Sequence, residues 1–297
     1  MRNALAKTLY ELAKEDDRII VIVADISPAG AMNDFRKEFP TRFINTGVSE
    51  QAMIGLAAGL AQRGFRPFCY TIATFALFRP YEFIRCDLAY QNLPVTIVGM
   101  GAGLSYPSLG GTHQAVEDVA VATACPNLTV LAPCDPAETA ECVRWCASRD
   151  SGGPIYLRIG KVGEPDIESV TEHGTVPDKV CWLHIGSIAD AETIVISYGP
   201  IALEALRVAK LRGFDMITIT KLRPLSKRLI EIVTQYESIV VVEEASGAPL
   251  AKQLGLMLLD VQIESFALPD EFPHAYGTRE ELLARAGLTA EAILARL

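Results

Sequence analysis

Alternation is the feature that most constrains this chain. Short apolar runs rich in β-branched residues recur along its 297 residues, separated by stretches with helical spacing. "RIIVIVAD" (18–25), "RPFCYTIATF" (66–75), "VTIVGM" (95–100), "LTVLAP" (128–133) and "IYLRIG" (155–160) read as strands. Helical periods fill 49–63, 78–92, 114–124 and 135–149. Strands apolar on both faces need cover on both, and a parallel neighbour is reached only through a long crossover, usually a helix. The pattern therefore predicts an α/β fold of mainly parallel sheets flanked by helices.

The rhythm lapses in a stretch rich in Gly, Pro and charge, then resumes at 193–199, 214–222, 238–245 and 262–268. Two domains are expected, over 1–165 and 190–297, with a linker over 166–189 that has room for a short hairpin. Half the chain is hydrophobic, enough for a sizeable core, and no apolar run reaches the roughly 18 residues that span a bilayer. "MRNALAKTLYELAKEDDR" reads as an amphipathic helix, not a signal peptide. The net charge is −9 with no Lys/Arg cluster, so neither nucleic acid nor a membrane is an expected partner.

Seven cysteines, an odd number without a CxxC, read as buried thiols of a reducing, cytoplasmic compartment. Cys142 and Cys146 are one helical turn apart and could share a face. None of the four histidines has zinc spacing to another or to a cysteine, so no metal site is expected in this chain.

Three segments invite a chemical reading. "NTGVSEQAM" (45–53) opens an apolar helix, with Ser49 at the cap position and Glu50 in the first turn. The plain account of Glu50 is that an acid there complements the helix dipole, worth roughly 0.3–1 kcal/mol. In "TIATFALFRPYEF" (71–83), Phe75, Phe78 and Tyr81 are spaced three apart, and such a stripe is ordinarily core. "GMGAGLSYPSLGGTHQA" (99–115) is a glycine-rich, nearly charge-free loop after a strand, carrying His113. Loops at the C-terminal ends of parallel strands are where such folds bind ligands, although "GMGAG" does not match a dinucleotide fingerprint.

Together these segments resemble the transketolase family of thiamin diphosphate enzymes, and the resemblance extends over nearly the whole chain. "GVSEQAM" is similar to the signature around the catalytic glutamate, which makes Glu50 that residue. "TFALFRPY" resembles the segment that stacks on the cofactor's aminopyrimidine through Phe75, Phe78 and Tyr81, and "GGTHQ" the substrate-channel motif containing His113. "PIYLRIGK" is similar to a segment whose arginine, here Arg158, binds substrate phosphate, and "VADISP" to a strand-end motif with Asp25. The family reading is a pyrimidine-binding domain followed by a transketolase C-terminal domain. It gives Glu50 a role: a carboxylic acid at the pyrimidine N1′ lets the cofactor deprotonate itself, and an apolar pocket favours the protonated acid.

The family fixes the diphosphate through Mg²⁺ with a GDG motif and a downstream asparagine, and no GDG occurs here. The resemblance thus implies the C-terminal component of a split transketolase. An N-terminal subunit carrying GDG would complete the site, with two copies of each chain in an α2β2 assembly. The expected reaction transfers a ketol or acyl unit from a sugar-like or other ketone donor to an aldehyde. Three positions depart from the sugar-phosphate pattern: Leu109 replaces an acid, Gly101 a histidine and Ala29 a serine, while Arg2 is offered as a second phosphate arginine. A less hydroxylated or differently phosphorylated donor follows. The alternatives are a 2-oxoacid dehydrogenase β subunit, a non-catalytic assembly subunit and, on α/β alternation alone, a nicotinamide dehydrogenase. The second domain offers no catalytic constellation in sequence.

Overall fold

The computed structural model describes residues 1–26, 31–161, 163–186 and 192–297. In chain order the first domain runs α1 (Arg2–Glu15), β1 (Ile19–Val23), α2 (Ala31–Glu38), β2 (Phe43–Asn45), α3 (Glu50–Gln62), β3 (Arg66–Ile72) and α4 (Ala73–Leu77). It continues through α5 (Tyr81–Phe83), which passes into a π-helical stretch over Ile84–Ala89, then β4 (Thr96–Met100), α6 (Asp118–Ala124), β5 (Thr129–Leu131), α7 (Pro136–Ser148) and β6 (Ile155–Ile159). The second part comprises β7 (Thr171–His173), β8 (Val180–His184), β9 (Thr193–Ser197), α8 (Ala202–Arg212), β10 (Asp215–Ile219), β11 (Lys221–Arg223), α9 (Lys227–Val233), β12 (Ser238–Ser246), α10 (Pro249–Met257), β13 (Gln262–Leu268), α11 (Arg279–Arg285) and α12 (Ala290–Leu294).

Two mainly parallel sheets result, as the alternation predicts. The first has the order β11-β5-β6-β4-β3-β1-β2, the second β13-β12-β9-β10-β8-β7. In the first, β1, β4 and β6 are buried at every position, which is why they read as unbroken apolar runs. Leu5, Leu9, Phe35 and Val143 of α1, α2 and α7 cover one face. The other face belongs to a core that continues from Ile22, Met53 and Ile97 through Val130 to Ile194, Ile217 and Ile239 of the second sheet. The domains thus share a hydrophobic interior.

Three features differ from the sequence reading. The expected hairpin in the linker is present as β7 and β8, but it pairs antiparallel onto β10 and so forms one edge of the second sheet. The run 214–222, read as one strand, is two: β10 stays in the second sheet, while β11 crosses over to pair antiparallel with β5 of the first. The Ala132 N–H donates to the Thr220 carbonyl (2.8 Å) at the crossing. The helix expected over 78–92 is interrupted by Pro80, which sits at the cap position of α5 because its ring cannot enter a helix interior. All seven cysteines are free, six of them buried, with Cys142 and Cys146 both buried on α7. No helix among the described residues is long and apolar enough to cross a membrane.

Candidate active site

Parallel strands align their C-terminal ends, and the chemistry-bearing segments leave the first sheet from that edge. β1 leads to Asp25, β3 runs into α4, β4 opens the loop 101–115, and β6 leads to Lys161. At the edge beside β1, the Asn45 side-chain oxygen accepts from the backbone N–H groups of Asp25 (3.1 Å) and Gly47 (2.9 Å). This brace fixes the turn from β2 into α3.

Glu50 is the first residue of α3 and only 2% exposed. Ser49 occupies the cap position as expected, yet its hydroxyl makes no capping hydrogen bond. Helical spacing turns Met53, Ile54 and Ala57 into the core, which draws the carboxylate of Glu50 inward. Its partner is Arg79, whose Nη1 donates to both carboxylate oxygens at 3.0 and 3.1 Å. The Arg79 guanidinium lies over the Phe75 ring, 4.1 Å from its centroid. Phe75 also meets the His113 ring nearly edge-on, with centroids 5.2 Å apart.

His113 lies in a turn of the loop 101–115, before α6 begins at Asp118. Tyr106 flanks it at 6.0 Å, and Thr112 Oγ1 is 2.9 Å from its Nδ1. Burial and then the nearby positive charge of Arg79 hold its pKa below the ordinary value, so the imidazole favours its neutral form. Lys161 Nζ stands over Tyr106, 4.4 Å from the ring centroid. Gly101 has φ +71°, and a Cβ there would run into the Tyr106 ring, so no larger side chain fits while Tyr106 stays in place. Leu109 is 46% exposed on the same loop.

The structure brings Glu50, Phe75 and His113 together. Phe78 and Tyr81 follow along the chain, half-buried against the shared core, with the Tyr81 hydroxyl donating to the Val121 carbonyl at 3.1 Å. Asp25 is exposed at the end of β1, with φ +46°. Ser27 and Pro28 of its motif, and Ala29, lie outside the described residues. Arg158 has none of these residues among its hydrogen-bond partners. It is 3% exposed, and its Nε donates to both oxygens of Asp118 (2.9 and 3.1 Å) and its Nη2 to the Glu244 carbonyl (2.9 Å). Tyr156 donates to the same Asp118 carboxylate at 2.9 Å. Sequence reasoning missed Arg79, Tyr106 and Lys161. The signals available were single cations, one inside the aromatic segment and one just past a buried strand.

Fold and site define a two-domain α/β protein that presents a buried carboxylate, an aromatic face and a histidine at the C-terminal edge of a parallel sheet. The chain belongs to the transketolase family: residues 1–162 match the family described as transketolase, pyrimidine binding domain. A putative transketolase C-terminal section from Methanocaldococcus jannaschii is 33% identical, covering 100% of this chain and 95% of its own length. One of the apulose-4-phosphate transketolase subunits of Phocaeicola vulgatus is 31% identical, covering 98% of this chain and 94% of itself. A solved split-gene transketolase, described as an inactive β4 tetramer, superposes with a TM-score of 0.85 at 31% identity over 99% of this chain and 95% of that one. The protein is thus a C-terminal subunit of the split, transketolase-like type, with a transferase role.

Proposed function

We propose that this chain completes the active site of a thiamin diphosphate-dependent transferase that moves a ketol or acyl unit from a ketone donor to an aldehyde acceptor. One arrangement carries the reading: a carboxylate 2% exposed at a helix start, whose ion-pair partner is a half-exposed arginine lying over an aromatic ring. That donor set fits an aminopyrimidine, a flat ring needing an apolar face and an acid at one nitrogen. Bound thiamin diphosphate would supply a nucleophilic carbon and an electron sink for breaking and forming C–C bonds. Glu50 would hold the proton at the pyrimidine N1′, and Phe75, Phe78 and Tyr81 would line the ring.

His113, kept neutral, would donate to an oxyanion developing on the substrate. Lys161, beside Tyr106, is the cation for an anionic substrate group, whereas Arg158 spends its Nε on Asp118 and its Nη2 on the Glu244 carbonyl. Asp25, at the neighbouring strand end, would meet a substrate hydroxyl. Diphosphate and Mg²⁺ would be held by an N-terminal subunit carrying the GDG motif, in an assembly with two copies of each chain. The inactive β4 state of a split relative supports the need for that partner. Leu109 and Gly101 leave the channel apolar where sugar enzymes hold hydroxyls, so the donor is less hydroxylated, or phosphorylated differently, than xylulose 5-phosphate. The test is turnover by the two-chain complex, with thiamin diphosphate and Mg²⁺, across a donor panel. Strong preference for xylulose 5-phosphate would count against the donor reading, and no requirement for thiamin diphosphate would overturn the whole.

A further inference from the structure

The loop that carries Leu109 and His113 is anchored by the second domain. Within the first domain it is tied by Gly101 N–H to the Ile159 carbonyl (2.9 Å) and by Gly103 N–H to the Ala115 carbonyl (2.9 Å). Two further anchors come from across the domain boundary. The Leu104 N–H donates to Glu244 Oε1 at 2.7 Å, reaching a residue 140 positions further along the chain. At the loop's far end, the Ser246 N–H donates to the Val116 carbonyl at 2.7 Å. Both partners sit at the end of β12, so one strand of the second sheet grips both ends of the loop.

Glu244 is built for this contact. It is 3% exposed, and its second oxygen pairs with Arg279, the first residue of α11, which Thr278 and Glu281 fix with a reciprocal capping box. Its own carbonyl accepts from Arg158, which binds it to the Asp118 pair. Gly103 permits the approach: a Cβ there would lie 2.6 Å from Glu244 Oε1. A buried carboxylate accepting a backbone N–H and an arginine is a stiff, charge-assisted clamp. The neighbouring Glu243 has a different duty, accepting from Tyr198 and from the first N–H groups of α10.

We propose that Glu244 is a positioning residue for His113, so that the second domain takes part in catalysis by setting the substrate loop. This rests on the reading of His113 as a substrate-binding group. Glu244 touches no reacting atom. It acts through the Leu104 amide on a loop whose histidine must sit in place.

The experiment uses the complex with the N-terminal subunit and compares Glu244→Ala, Glu244→Gln and Tyr236→Phe. The last removes a second-domain hydrogen bond to Asp215, remote in sequence from the loop. Glu244→Ala is expected to speed amide hydrogen exchange over 101–115 by at least about tenfold while the core of β12 stays protected. It is also expected to lower kcat about 10- to 100-fold, with a smaller change in donor KM. Glu244→Gln keeps an oxygen for the Leu104 N–H and should recover most of both. Unchanged loop exchange in a folded Glu244→Ala complex would overturn the proposal, as would equal loop loosening in Tyr236→Phe. Exchange is read without turnover, so it decides the clamp even if no donor is found and the transferase reading fails.

Discussion

Arg79 rests over Phe75, 4.1 Å from the ring centroid, and donates from one nitrogen to both oxygens of Glu50. A guanidinium is flat, stacks on aromatic faces and donates to carboxylates. These are the two surfaces, ring face and buried acid, that the proposed pyrimidine needs. On that proposal the arginine is the occupant the cofactor would displace, and its 42% exposed side chain has room to leave.

Arg79→Met should accordingly have opposite effects on the free chain and on the loaded complex. Without its partner Glu50 becomes an uncompensated buried charge, so the isolated chain should lose about 1–2 kcal/mol, a figure reduced because the arginine is half in water. In the complex, thiamin diphosphate should bind more tightly. Denaturant midpoints and titration calorimetry measure the two; weaker cofactor binding in the variant would show that the arginine assists rather than competes.

Glu50→Gln keeps size and hydrogen bonding but cannot shuttle a proton. Its kcat in the complex should fall by about 10²–10⁴, while subunit association, followed by analytical ultracentrifugation, is unchanged. Near-normal turnover would reduce Glu50 to a helix-dipole complement. Loss of association would move its role to assembly.

The pH dependence follows from His113, whose pKa is held below its ordinary value of 6.5 by burial and by the charge of Arg79. Protonation is therefore harder in the folded chain than in the unfolded one. The neutral imidazole persists through neutral pH, so the acid limb of kcat/KM should lie below pH 6.5 and activity should fall as pH drops through the lowered pKa. The accompanying stability is present above the unfolded value and is lost over the same descent. Removing the Arg79 charge should move the limb upward. A limb that stays fixed in Arg79→Met would detach it from His113.

How much of this was legible depends on range. Strand runs such as "IIVIV" and "TIVGM" state their own burial, and the parallel fold follows from them. Three-residue β11 does not: "FDMITITKL" reads as one β-prone run, and only the partner offered by β5 tells where one sheet ends and the other begins. The carboxylate, the aromatics and the histidine were legible through family resemblance, because their spacing alone equally describes a core. Glu244 was not legible at all, since its meaning lies in a backbone N–H 140 residues away. The surroundings of Arg158 were not legible either: a cation on a central strand looks available in sequence, whereas β6 lies between β4 and β5 and here turns it toward Asp118.

The loop's shape is itself testable at Gly101, where φ is +71° and Tyr106 fills the space of a Cβ. Gly101→Ala should cost about 1–3 kcal/mol through overpacking and backbone strain. Adding Tyr106→Ala should remove the steric part while leaving the strain. Paired denaturation curves would show this as a positive coupling; strict additivity would mean the ring is not the obstacle.

Arg158 and Lys161 separate two ways of using a cation at the end of β6. Arg158 is buried with Asp118, so Arg158→Met strands a carboxylate and should destabilise the chain by about 3–5 kcal/mol. The double variant Arg158→Met with Asp118→Asn removes both charges and should recover part of that loss. Lys161 is half-buried over Tyr106, so Lys161→Met should leave the unfolding midpoint nearly unchanged. What it should change is KM for a phosphorylated or otherwise anionic donor, upward by about tenfold or more, with little effect on an uncharged analogue of the same ketone. If the two variants exchanged these signatures, Arg158 would be the substrate's cation and its pairing with Asp118 a resting arrangement of the free subunit.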